Sequence, residues 1–258
     1  ASNLIIMPVL WIGNSELLLT NGSQEVARFG VAYFLFVALV MIPAAIATPL
    51  LPRISELSVT NPSSVQKTIN SLLYHVSVLV LPLILFLMLF SREVVGALYG
   101  ASYSDAGRVV AVMSIASYPY IVSSVIGIAL IGTGRMRQFL ASQIVWAVSF
   151  IALVSALVSV YGAEGLSVVF VGSYAVMGLV SVVFLKSFVN ISLRESVPSQ
   201  LYVLGALFMV CVWMVAEGEL QFPLRIAAVA SSIVISVWLL RGGVRELVAE
   251  FKMRHLLR

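Results

Sequence analysis

Asn3, Met7, Leu10 and Asn14 recur at i, i+4, i+7 and i+11, so a helix would carry both amides on one face. A carboxamide among apolar residues either points into a hydrated path or hydrogen-bonds a neighbouring helix, and both readings stay open. Glu16 lies off that face, near the far end of the same stretch, where it can reach an interface. Arg28 follows Glu25 by three residues, the spacing of an exposed helical ion pair, and can equally face a polar cleft. Asp105 and Arg108 repeat that spacing. Gln143 stands beside Trp146, suited either to anchoring at an interface or to lining a cavity. Asn3, Asn14 and Arg28 are the candidates for lining a cavity.

Covalent and metal chemistry find no matching constellation. His75 sits inside an apolar run and His255 near the end of the sequence, neither with a second His, Cys or carboxylate at a ligand spacing. The single cysteine, Cys211, reads as a small buried hydrophobe and cannot form an internal disulfide. Gly132-Thr133-Gly134, followed by Arg135 and Arg137, reads as a turn between helices, not as a phosphate loop between strand and helix. No loop is large enough to house a catalytic domain. The expectation is a non-enzyme with no metal and no cofactor.

The elements that must position these residues follow from composition. Of 258 residues, 61% are hydrophobic and only 10% charged, against about 25% charged in a soluble domain. Mean hydropathy is +1.08. A soluble globule and a disordered tail are excluded. The segment 4–19 is a short, interrupted apolar run, read as the end of a helix that starts upstream; with Ala1 first and no signal peptide, the sequence reads as a fragment. Seven longer apolar stretches follow, at 29–51, 68–90, 106–131, 139–161, 166–188, 200–216 and 222–240. Spans of about 20 apolar residues in lipid must be helices, and strict alternation of the barrel type is absent. The fold class expected is all-α, a polytopic bundle of about eight transmembrane helices.

Charge tests that segmentation. Arg53, Lys67, Arg135, Arg137, Lys186, Arg194 and the five basic residues from Arg241 to Arg258 fall on one set of alternate connections. The other set holds only Arg28, Arg92, Arg108 and Arg225. By the positive-inside rule the first set, with the C-terminus, is cytoplasmic. The basic balance, net +4, then reflects topology and needs no nucleic-acid partner. In the tail, Val244, Leu247, Val248 and Phe251 fall at helical spacing between charged residues. That pattern suits an interfacial helix on anionic membrane lipids, with a partner-docking helix as the alternative. Pro43 and Pro49 interrupt the second helix, Pro82 the third and Pro119 the fourth, and Pro43, Pro82 and Pro119 are read as kinks. Kinked helices suit a bundle that bends between two openings, or they serve packing alone.

Several phrases then line up in order. Pro8-Val9-Leu10-Trp11-Ile12-Gly13-Asn14 resembles the Pro-x-x-Trp-x-x-Asn segment of the seventh helix in O-antigen flippases. Ile42-Pro43-Ala44 and Leu51-Pro52-Arg53-Ile54-Ser55-Glu56-Leu57 resemble the end of the eighth helix and its cytoplasmic exit. The run from Leu98 to Ala106 resembles a Gly-x-x-Tyr-x-x-Ala approach to the tenth helix, Gly134-Arg135 the turn that ends it, and Tyr161-Gly162-Ala163-Glu164-Gly165 the Tyr-Gly-x-x-Gly turn before the twelfth. The sequence is similar to the polysaccharide transporter branch of the multidrug/oligosaccharidyl-lipid/polysaccharide exporter superfamily.

That resemblance implies helices seven to fourteen of a fourteen-helix protein. It divides the sequence into a second-lobe bundle at 1–190, two additional helices at 191–240 and a cytoplasmic amphipathic tail at 241–258. It implies a cell-membrane flippase that moves a polyprenyl-pyrophosphate-linked oligosaccharide by alternating access, for polysaccharide, O-antigen or lipopolysaccharide assembly. The implied partners are that lipid-linked oligosaccharide, membrane lipids and a missing N-terminal lobe. The alternative is another cargo on the same scaffold, lipid II or a drug exported by antiport.

Overall fold

The computed structural model describes residues 2–187, 222, 223 and 225–239. Among the described residues all regular structure is helical, as the composition requires. The helices are α1 (Ser2–Asn21), α2 (Ser23–Ala47), α3 (Leu51–Thr60), α4 (Pro62–Leu89), α5 (Ser91–Tyr99), α6 (Ala106–Gly132) and α7 (Met136–Lys186). A further helix, α8, covers Arg225–Leu239. Four helical runs are long and apolar enough to cross a bilayer: Ser23–Thr60, Ser64–Leu89, Ala106–Gly132 and Met136–Lys186. The expected stretch 200–216, Cys211, Arg194, His255 and the amphipathic tail lie outside the described residues.

At 51 residues, α7 would reach about 76 Å if straight, more than twice a hydrocarbon core. It is instead two arms. Gly162 breaks the helix with φ 56° and ψ −133°, a conformation that side-chain-bearing residues avoid. The arms fold back on each other: Trp146 stacks on Tyr174 with ring centroids 5.4 Å apart, and Phe150 meets Phe170 edge-on at 5.2 Å. These are the two spans expected at 139–161 and 166–188.

The connection expected at 52–67 is mostly helix. A short tight turn at Thr48–Leu50, with Pro49 in it, links α2 to α3. The real break falls at Asn61, whose side chain accepts from the Ser64 backbone N–H at 3.3 Å before Pro62 opens α4. Ile54 and Leu57 of α3 are buried against the start of α4 and the far ends of α6 and α7. That tertiary contact takes up the one apolar face of a stretch polar enough to read as a connection.

At the centre is α6, packed chiefly on α7, α2 and α4. Six consecutive residues, Val109 to Ser114, are all buried, so the helix is covered on every side. Small residues make this possible. A Cβ on Gly107 would lie 2.8 Å from the Arg92 Cα, and one on Gly132 would lie 2.8 Å from the Ile54 side chain. Phe29, Tyr33 and Phe36 of α2, Tyr120 of α6 and Phe170 and Tyr174 of α7 form one continuous aromatic cluster. Helix α8 runs antiparallel to α4. Arg225 donates to the Glu93 carboxylate at 3.1 Å near the end of α4, and the Tyr74 hydroxyl donates to the Leu239 carbonyl at 3.2 Å.

Candidate functional site

The two ends of the bundle differ in charge. At one end gather the α1–α2 turn, the α5–α6 connection, the Gly162 turn and the start of α8, carrying Arg28, Arg92, Arg108 and Arg225. Three of these arginines meet carboxylates at the same end. Arg28 pairs with Glu25 at 2.7 Å and with Asp105 at 3.5 Å, Arg108 with Glu164 at 3.3 Å, and Arg225 with Glu93 at 3.1 Å. The opposite end gathers α3, the start of α4, the α6–α7 turn and the end of α7, with Arg53, Lys67, Arg135, Arg137 and Lys186. This end carries the Arg53–Glu56 ion pair, with both side chains more than half exposed. Among the described residues, the two sets of basic connections lie at opposite ends.

At the first end Glu25 is the organising residue. One carboxylate oxygen accepts from Arg28 and the other accepts from the Ala163 backbone N–H at 2.9 Å. The carboxylate thus sits at the start of the second arm of α7, where unpaired backbone donors and the helix dipole favour an anion. It also explains Gly162: a Cβ there would lie 2.8 Å from the Glu25 carboxylate oxygen. The spacing of Glu25 and Arg28 gave their pairing, but the contact with Ala163, 138 residues away, has no local signal. Asp105 and Arg108 do not pair with each other as their spacing suggests. The first reaches across to α2 and the second to the turn of α7, because each finds an opposite charge on a neighbouring element.

Of the cavity candidates, Arg28 lines a cleft of about 290 Å³ at this end, with Gln24, Ser102, Tyr103 and Asp105. Asn14 is half-buried deeper in α1, and its amide donates to the Leu10 carbonyl of its own helix at 2.9 Å. Asn3 belongs to the same helix, eleven residues earlier. The structure does not bring Asn14 and Arg28 into one site.

Other polar groups of the spans turn to their own backbone. His75, midway along α4, has Nδ1 at 2.6 Å from the Ser71 carbonyl; a carbonyl only accepts, so Nδ1–H donates. Trp146 is 1% exposed and part of the core, so it is no interfacial anchor, while Gln143 beside it is half-buried. Asn70 of α4 is buried, with no hydrogen-bond partner for either amide atom among the described residues, and no motif around it in the sequence marks it. Pro43, Pro82 and Pro119 lie inside continuous helices, and so does Pro8. Each of the three internal prolines frees the carbonyl four residues earlier, that of Leu39, Val78 or Ile115. Among the described residues no group of three or more His, Cys, Asp or Glu stands close enough to hold a metal.

A membrane bundle with an ion-paired rim at one end and a cationic rim at the other is the class this geometry defines. Residues 20–108 match a family model described as "Polysaccharide biosynthesis protein". No curated protein matches the chain by sequence. Among solved structures, the chain is similar to the lipid II flippase MurJ in its inward closed conformation, with a TM-score of 0.73 at 12% identity. The match covers 96% of this chain and 53% of MurJ, so the chain spans about half the length of that flippase. The family match covers residues 20–108, and the likeness to MurJ, at 12% identity, is one of fold.

Proposed function

We infer that the chain forms one lobe of a cell-membrane flippase for a polyprenyl-pyrophosphate-linked oligosaccharide, used in polysaccharide, O-antigen or lipopolysaccharide assembly. The observation that carries this reading is the joint one: a polysaccharide-biosynthesis match from α2 to the start of α6 on a chain whose fold resembles half of a lipid flippase. The physics agrees. A polar glycan needs shelter from hydrocarbon while its lipid tail stays in the bilayer, and two facing lobes provide that without bond-making chemistry. Asn3, Asn14 and Arg28 are the residues of this lobe assigned to the glycan path, and Pro43, Pro82 and Pro119 are the hinges of alternating access. The rim carrying Arg53 and Arg135 faces the cytoplasm, and the Glu25–Arg28 rim faces outward. The likeness to a lipid II flippase favours lipid II as the second cargo.

The test uses the full-length protein in liposomes loaded with fluorescent undecaprenyl-pyrophosphate oligosaccharide or, in parallel, with lipid II, scored by exposure to an impermeant glycosidase or quencher. Transfer of the oligosaccharide lipid in excess of lipid II is expected. Transfer of neither refutes the flippase assignment, and transfer of lipid II alone replaces the cargo. In cells, alanine at Asn3, Asn14 or Arg28 is expected to lower surface polysaccharide several-fold at normal protein level; unchanged polymer removes those residues from the path.

A further inference from the structure

The cleft at the ion-paired rim is about 290 Å³ in volume. That is near the lower end of the roughly 300–1,000 Å³ of small-molecule sites, room for a short saccharide or a comparable ligand. Its charges narrow the ligand further. The Arg28 guanidinium already meets the carboxylates of Glu25 and Asp105. A phosphate or pyrophosphate would have to displace one carboxylate and would still meet the other. A metal cation would sit against the guanidinium. An uncharged ligand meets neither obstacle.

The lining suits a polyhydroxylated ring. Gln24 offers an amide donor and acceptor, Ser102 a hydroxyl, the mostly exposed Asp105 carboxylate an acceptor, and the Arg28 guanidinium further donors. A donor and an acceptor held side by side by the Arg28–Asp105 pair match neighbouring hydroxyls on a sugar. Tyr103 leaves 41% of its surface exposed and belongs to the same lining. An exposed phenol ring offers an apolar face with a polar tip, on which the C–H face of a pyranose packs. We propose that this cleft is a saccharide-docking site that takes a neutral sugar residue at the outer rim of the lobe. The proposal rests on the flippase reading for the origin of the sugar, since a glycan leaving the lobe outward passes this rim. The binding chemistry stands without it.

Saturation-transfer difference NMR tests the site on the full-length protein in nanodiscs free of glycosidic detergent. Maltotriose and chitotriose serve as neutral probes, and inorganic pyrophosphate as the charged competitor. At least one trisaccharide is expected to show transfer that pyrophosphate does not displace, falling about fivefold in Tyr103→Ala and persisting in Tyr103→Phe. Gln24→Ala is expected to weaken the same signal, which covers the case of an unfolded Tyr103→Ala protein. No transfer to either trisaccharide, displacement by pyrophosphate, or equal transfer in Tyr103→Ala and Gln24→Ala overturns the proposal. Lipid transfer measured on the same preparations separates the two readings. Sugar binding without lipid transfer sinks the flippase and leaves the cleft, and lipid transfer without sugar binding does the reverse.

Discussion

Glu25 closes three elements onto one carboxylate: its own helix through Arg28, the α5–α6 connection through the Arg28–Asp105 pair, and the turn of α7 through the Ala163 amide. A half-buried carboxylate that accepts a charged and a backbone donor is worth more than an exposed pair. Glu25→Ala is therefore expected to cost about 1–3 kcal/mol in thermal or denaturant unfolding of the purified full-length protein. Arg53→Ala, which breaks an exposed pair, is expected to change stability by less than about 0.5 kcal/mol. Equal losses would contradict this ranking. Gly162→Ala is expected to destabilise by about 1–3 kcal/mol, because it combines a strained positive φ with a close contact on Glu25. Asn70 should respond in the opposite direction. Its buried amide lacks a described partner, so Asn70→Leu is expected to raise stability by about 1 kcal/mol; a loss of stability would reveal a partner for that amide. At this scale the sequence was only partly legible. Spacing exposed Glu25–Arg28, but nothing local marks Glu25 as the cap of a helix far along the chain, and Asn70 stands in its apolar run without a motif to draw attention.

At the scale of elements, hydropathy located the long helices, although α2 and α4 each start six residues ahead of their apolar stretch, and the Tyr161–Gly165 motif falls on a real break. The exceptions have physical causes. Residues 52–60 are polar enough to read as a connection, yet Ile54 and Leu57 bury against Gly132 and the end of α7, and packing decides the conformation. Gly134 was read as part of a turn, and its φ of 75° lets the Arg135 N–H donate back to the Leu130 carbonyl at 2.7 Å, ending α6. The assignment of hinges to Pro43, Pro82 and Pro119 makes a prediction of its own. Pro119→Ala restores a backbone donor in a helix packed chiefly on α7, α2 and α4. It is expected to leave folding intact or improve it while slowing lipid transfer several-fold. Unchanged transfer would make the kink a packing feature only.

For the molecule as a whole, two signals converge on one arrangement: the alternation of basic connections along the sequence and their separation to opposite ends of the bundle. Only the second is geometric, and it places Arg28, Arg92, Arg108 and Arg225 together although they are scattered along the chain. The glycan path of the proposed flippase is less legible, because on that reading it runs between two lobes and this chain would supply one side of it. Its outward and cytoplasmic faces are where the account is most exposed. The decisive measurement is labelling of single cysteines at Ser104 and at Gly134 in the full-length protein, with every native cysteine, Cys211 included, replaced by Ser, using an impermeant maleimide on intact cells. The account predicts that Ser104→Cys is labelled from outside, and Gly134→Cys only after the membrane is opened. Labelling of Gly134→Cys on intact cells, with Ser104→Cys protected, would invert the lobe and contradict it.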